Sequence, residues 1–456
     1  MLPAAADRVH SMWRGESAGG PARLALLVGA SLLAACAGGA TPAQSGNGPS
    51  STAAVAEVGA DCPEFGGTPL QRAEVVELVE LGESNGARVS GALYPRPDYE
   101  GNPWSQWGQG IVLDDGRHYS AIGDHRGVDG NSFVYEYDPA TNSLAMVADV
   151  LSYVEHVPGT WGYGKIHSQM VEGSCGEVYF STYWGTFRDI VFEGNYRGDI
   201  LFRLDPQGAT MEPLDVPVEL HGQASLAGAP SFGLVYGEAV DPVRKGDGTD
   251  RGPFFVYDVM AEETVHVGPE APHVGYRSVL VDANGNAFYS IGGGELARLD
   301  PVTGKETTHD ARLPGQWLRA ATEPGPEGHV YGVTREPDTF FVMNTDGSID
   351  ELGDALGYTA SMALSPDGSA FYYMPGAHGN SSEWSSPLMM VDTESGEQTV
   401  VAELADLVMD GLGYLVGGTY NVTVSPDGNT VYLGVNASEP DGNGFGEVIL
   451  LAVELP

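Results

Sequence analysis

A short hairpin turn recurs along this chain and limits what the chain can fold into. It reads DDG at 114–116, SCG at 174–176, DANG at 282–285, PEG at 326–328, and SPDG at 365–368 and again at 425–428. Each copy leads into a run such as EVYFST, NAFYSI, HVYGVT, SAFYYM or TVYLGV, rich in the aromatic and β-branched residues that suit a pleated surface. A second signal alternates with the first: an apolar strand ending at a turn residue, at Asp138, Asp205, Asp258, Asp300, Asn344 and Asp392. Between Gly208 and Gly268 the segment GAPSFGLVYGEAV takes the hairpin's place, which brings the copies to seven.

Repeats of roughly 40 to 65 residues, each with about four strands, predict an all-β fold, a seven-bladed β-propeller, with six or eight blades as alternatives. Radial closure protects the edges that each four-stranded sheet exposes. The last copy ends in VILLAV (448–453) after only three evident strands, so an N-terminal strand is expected to complete it. ARVSGALY (87–94) fits that role, and EVVELVEL (74–81) is the other candidate. Thr68-Pro69-Leu70-Gln71 reads as a capping box with Pro at the first helical position, and Glu74, Glu77 and Glu80 share one helical face. The expectation is therefore a short helix over 69–81 followed by a closing strand near 87–94.

The N-terminus reads differently. Arg8, Arg14 and Arg23 precede LALLVGASLLAA (24–35), too short to span a bilayer but suited to an export signal. It runs into Leu33-Ala34-Ala35-Cys36, which resembles the lipobox of bacterial lipoproteins. The resemblance implies a signal peptide over 1–35, a lipid on Cys36, and an extracytoplasmic protein anchored in the cell envelope. The anchoring membrane is expected to be the outer one where the host has two, because Ala37 is not the retaining Asp. Residues 36–60 are rich in Gly, Ser, Ala and Pro and read as a flexible linker, leaving 61–456 for the propeller. Exported chains meet oxidising surroundings, so a disulfide between Cys62 and Cys175 is expected.

The chain carries 62 acidic and 21 basic residues, a net charge of −41. Such a surface repels nucleic acid and anionic lipid headgroups, which excludes both as partners. Acid-rich surfaces also suit saline habitats. Beyond the membrane, reached through the lipid, the expected partner is a polar small molecule or glycan, bound by a monomer.

In their SPDG and DP-x-T-G turns, residues 87–456 resemble the bacterial extracytoplasmic propellers of the YVTN, TolB-like and gluconolactonase-like groups. Those groups include lactonases, polysaccharide lyases and scaffolds that catalyse nothing, so function must be read from a site. No G-x-S-x-G elbow, Walker loop, H-E-x-x-H or C-x-x-C-H occurs.

Aligning the copies on their hairpin glycines places Trp107-Gly108-Gln109, His167-Ser168-Gln169 and His221-Gly222-Gln223 at the start of the innermost strands of blades 1 to 3. Tyr276, Trp317, Tyr358 and Tyr420 fall at the matching point of blades 4 to 7. This predicts a rim of large rings around one mouth of the central channel. Asp124, His125, Tyr183, Trp184 and His378 follow the second strands of blades 1, 2 and 6, while Lys165, Arg277 and Arg319 flank the rim and suit an anionic group. His118, His156, His266, His273, His309 and His329 are read as surface residues.

Two functions compete for this rim: binding of a glycan or acidic sugar, and catalysis. The paired His-x-Gln units are similar to those of oligogalacturonate lyase propellers. That likeness implies a divalent metal on His167, His221 and Gln169 or Gln223, with Lys165, His167 and Arg277 as catalytic candidates. A lactonase-like reaction and an envelope assembly scaffold remain further alternatives.

Overall fold

The computed structural model describes Cys62 and residues 64–97, 104–185, 196–241, 251–269, 271–272 and 278–456. Cys36 and the segments expected to be signal and linker lie outside the described residues, as do Tyr276, Arg277 and His273. No helix among the described residues is long and apolar enough to cross a membrane.

Seven antiparallel sheets form the blades of a β-propeller. Their innermost strands begin in chain order with Ile111–Val112, Lys165–Ile166, Gly222–Ala229, Val279–Val281, Trp317–Ala321, Met362–Leu364 and Leu415–Val424. The repeated hairpins join each inner strand to the second strand of its blade, as in Glu172 opposite Val178 and Met362 opposite Tyr373. The Asp-terminated turns are fixed by their own carboxylates. Asp205, Asp258, Asp300 and Asp392 each accept backbone N–H groups two and three residues on.

Blade 7 is completed from the other end of the chain, as the sequence predicts. Ala87–Leu93 pairs with Glu447–Glu454, from Arg88 opposite Glu454 to Leu93 opposite Ile449. Val89 and its neighbours Val453 and Leu451 are fully buried there, and each such side chain contributes about 1.5–3 kcal/mol. An Arg88–Glu454 ion pair marks the exposed end of this ladder.

The helix expected over 69–81 is absent. In its place Thr68–Pro69 lies on the outer strand of blade 2, Ala73–Val76 on that of blade 1, and Val79–Ser84 beside the closing strand of blade 7. Three outer edges offer unpaired N–H and C=O groups, and satisfying them outweighs a weak local helix signal. The arm is latched at its start by the Cys62–Cys175 disulfide, with Cα atoms 5.6 Å apart, which spans 113 residues of sequence.

Blades are tied to one another by polar side chains at the channel. Asn436 accepts from the Gln106 N–H at 2.8 Å and donates to its carbonyl at 2.9 Å, while Asn421 accepts from Gly110 N–H at 2.8 Å. His118, read from sequence as a surface residue, is fully buried between blades 1 and 7, stacked on Tyr432 with Nε2 3.3 Å from the Asn421 amide. Burial pushes its pKa down to about 3.

Candidate functional site

Each inner strand starts at one mouth of the channel, here the near mouth, and ends at the other, the far mouth. Blade 2 shows both ends: Lys165 pairs with Tyr183 at the near end and Glu172 with Val178 at the far end.

The near mouth gathers rings and cations from five blades. Trp107 occupies the middle. Its ring centroid lies 5.3 Å from His125, 5.9 Å from His378 and 4.8 Å from Tyr420, and Phe445 stacks on it at 5.7 Å. Lys165 places its ammonium 3.9 Å from the Trp107 centroid and 5.5 Å from that of Tyr183. On the other flank Arg319 donates to the Tyr358 hydroxyl at 2.6 Å and sits 5.0 Å from its ring, and Arg335 lies 4.4 Å from the same ring. His378 packs edge-on against Tyr358 at 4.6 Å. Cations over aromatic faces are attracted by the ring quadrupole, more strongly where water is excluded. Lys165 and Arg319 are both buried among the described residues.

Local backbone holds these groups in place. His125 adopts a left-handed conformation, φ 56°, and donates its N–H to Gly164 O at 2.8 Å. Asp124 is buried and braces the same loop by accepting from the N–H groups of Arg126 and Asn131, both at 2.9 Å. Gly185 faces the Arg126 carbonyl so closely that a Cβ there would stand 1.9 Å from its oxygen.

The sequence expectations divide here. Trp107, His125, Lys165, His167, Tyr183, Arg319, Tyr358, His378 and Tyr420 belong to one connected set of ring and cation contacts. His167 stacks on Tyr183 at 4.6 Å, and Tyr183 meets Trp184 at 3.9 Å. Gly222 closes onto Trp184, where a Cβ would lie 2.0 Å from the indole. Two aromatic rings, Tyr183 and Trp184, therefore connect His167 to the His221-Gly222 backbone.

Their nearest partners are carbonyls: His167 Nδ1 lies 2.9 Å from Ala224 O and His221 Nδ1 2.7 Å from Glu219 O. The glutamines serve the scaffold. Gln109 donates to Met362 O and Val422 O, Gln169 accepts from Leu226 N–H, and Gln223 donates to Asp199 O. Among the described residues no three His, Cys, Asp or Glu side chains converge as metal ligands. The divalent metal that the lyase likeness implied on His167, His221 and Gln223 finds no group of three His, Cys, Asp or Glu ligands there. Trp317 begins the inner strand of blade 5, Trp317–Ala321.

Arg335 and Phe445 are functional candidates that sequence reasoning missed. Arg335 ends the second strand of blade 5, the position at which Asp124, Tyr183 and His378 were found in blades 1, 2 and 6.

Beneath Trp184 lies Asp199, fully buried. It accepts from the Tyr196 hydroxyl at 2.6 Å, the Thr182 hydroxyl at 2.9 Å and the Trp184 N–H. Burial, against these three donors, pushes its pKa up to about 7.

Comparison with known proteins supports the architecture alone. No protein-family model matches the chain, and no curated protein sequence matches it. Among solved structures it is similar to U3-55K, at 9% identity and a TM-score of 0.51 over 80% of this chain and 98% of that one. It is similar also to a streptogramin B lyase (11%, 0.48, 82% and 100%) and to virginiamycin B lyase from Staphylococcus aureus (11%, 0.48, 80% and 99%). At these identities the likeness is one of fold, a β-propeller of the same general build.

Proposed function

We propose that the near mouth binds an acidic glycan, a sugar chain carrying carboxylates of the uronate kind, and that a lipid on Cys36 holds the propeller at the cell envelope. One observation carries the binding reading. In a chain with 62 acidic and 21 basic residues, Lys165, Arg319 and Arg335 gather with Trp107, Tyr183 and Tyr358 around a single channel opening. Rings supply faces for sugar C–H groups, and the cations supply charge for carboxylates. The anchoring reading rests on the sequence LAAC at 33–36.

Titration with oligogalacturonates and with neutral oligosaccharides of equal length, at several salt concentrations, tests the first part. The acidic series should bind, more weakly as salt rises, and Lys165→Met should lower its affinity about tenfold or more. Equal affinity for neutral and acidic chains, or an unaffected Lys165→Met variant, overturns the reading. Cys36→Ser should move the protein from the membrane fraction to the soluble one.

A further inference from the structure

The far mouth has the opposite chemistry. Two cavities of about 320 and 360 Å³ open there and share Glu172, Gly228, Val281, Glu323 and Pro324 as lining. The first runs up the channel as far as Gln109 and Gln169. The second spreads outward over Pro230, Phe232 and Asp282 between blades 3 and 4. Neither is lined by any Lys, Arg or His among the described residues.

Glu172 and Glu323 come from blades 2 and 5 and face one another's charge. Burial, then repulsion from Asp114, Glu323, Glu177 and Asp115, pushes the Glu172 pKa up to about 6. Glu323 stands exposed at the rim of the same cavities. Of the acids around Glu172, Asp115 has its own cation in Arg117, at 2.8 Å, and Glu177 is held by the Cys175 N–H and the Tyr179 hydroxyl. A third polar group stands on the same channel wall. Thr423 is 6% exposed, and its hydroxyl has no hydrogen-bond partner.

Size, wall chemistry and charge together define the occupant. The volumes lie at the lower end of those that hold small molecules. The walls at Val281, Pro230, Phe232 and Pro324 are apolar, and the only charges are negative. With no three His, Cys, Asp or Glu side chains convergent among the described residues, a bare metal ion lacks a ligand set. A cation that brings its own apolar surface matches both features.

We propose that the far mouth binds an aliphatic amine, an alkylammonium or polyamine, with ammonium groups at Glu172 and Glu323 and methylenes against Pro230, Phe232 and Pro324. The amine joins a carboxylate on each side of the cavity, and its methylenes leave water for the apolar wall.

Calorimetry on the full chain at pH 7.5 and near-physiological salt tests this with three probes: spermidine, butylammonium and calcium. Spermidine and butylammonium should bind with one saturable site. Glu172→Gln and Glu323→Gln should each weaken spermidine about tenfold, whereas Glu351→Gln on the exposed outer strand of blade 5 should leave it unchanged. Binding should fade as pH falls below about 6, as Glu172 takes up its proton. Without ligand, both Gln variants should melt at or above the parent temperature, because each removes a repelling charge. Phe232→Ala, outside the charged pair, should weaken both amines. Parent-like affinity in the two Gln variants, an equal loss in Glu351→Gln, or calcium binding at these carboxylates in preference to the amines overturns the proposal.

Discussion

The two mouths of one channel carry opposite answers to the same problem of keeping charge near a low-dielectric wall. At the near mouth the charges are cations over aromatic faces, Lys165 on Trp107 and Arg319 and Arg335 on Tyr358, and a buried acid beneath them, Asp199, has three donors. At the far mouth burial and the neighbouring acids, Asp114 first and then Glu323, push the Glu172 pKa up, and no cation lines the cavities among the described residues. The contrast teaches that the fold supplies partners for its charges at one mouth and gathers like charges at the other.

The largest effect expected from disturbing this arrangement is on stability. Cys62→Ser removes the latch at the hairpin beside the far mouth, and denaturant unfolding should show a loss of about 2–4 kcal/mol. Near-mouth glycan affinity should stay within twofold, since no ring or cation of that mouth touches the latch. Next comes a double dissociation. Lys165→Met should lower acidic-glycan affinity about tenfold and spare spermidine, and Glu323→Gln should do the reverse. Calorimetry showing both ligands lost in either variant would merge the two mouths into one site.

A pH series separates the buried acids. Asp199 has a folded pKa near 7, above its unfolded value, so the folded state holds its proton more tightly. Its contribution to stability is present at low pH and is lost as pH rises from about 4 to about 7, with no further change above. Asp199→Asn should flatten that part of the stability curve, read by thermal unfolding at each pH. The smallest effect belongs to the exposed Arg88–Glu454 pair on the closing strand, where Arg88→Ala should cost under about 1 kcal/mol and should not change binding at either mouth.

Much of the fold was legible because it depends on local, repeated chemistry. The SPDG turns work through Ser365 and Ser425 hydroxyls, which accept from the N–H groups of Ala370 and Thr430 and donate to Asp367 and Asp427. The Cys62–Cys175 pairing followed from compartment and count, and the closing strand from the missing fourth strand of blade 7. The arm was misread because the three-residue spacing of Glu74, Glu77 and Glu80 matches a helical face, and only the edges of the neighbouring blades turn the segment into strands.

The rim was half legible for a related reason. The inner strands of blades 3, 5 and 7 carry register shifts, between Gln223 and Ser225, Leu318 and Ala320, and Thr419 and Asn421. A bulge turns later side chains to the other face, so a count back from the hairpin glycines loses the register wherever it crosses one. Glu172 and Glu323 went unremarked because nothing in the sequence around an acid reveals which other acid it will face across a channel.

The covalent bond at Cys175 also has a mechanical consequence. Any load drawn through the first sixty residues arrives at Cys62 and passes into the inner hairpin of blade 2 before it can reach the hydrogen-bonded edge strands downstream. A tug from that end is therefore taken by sulfur and shared with the ring of sheets, and the clasp around blades 2, 1 and 7 is not peeled open one rung at a time.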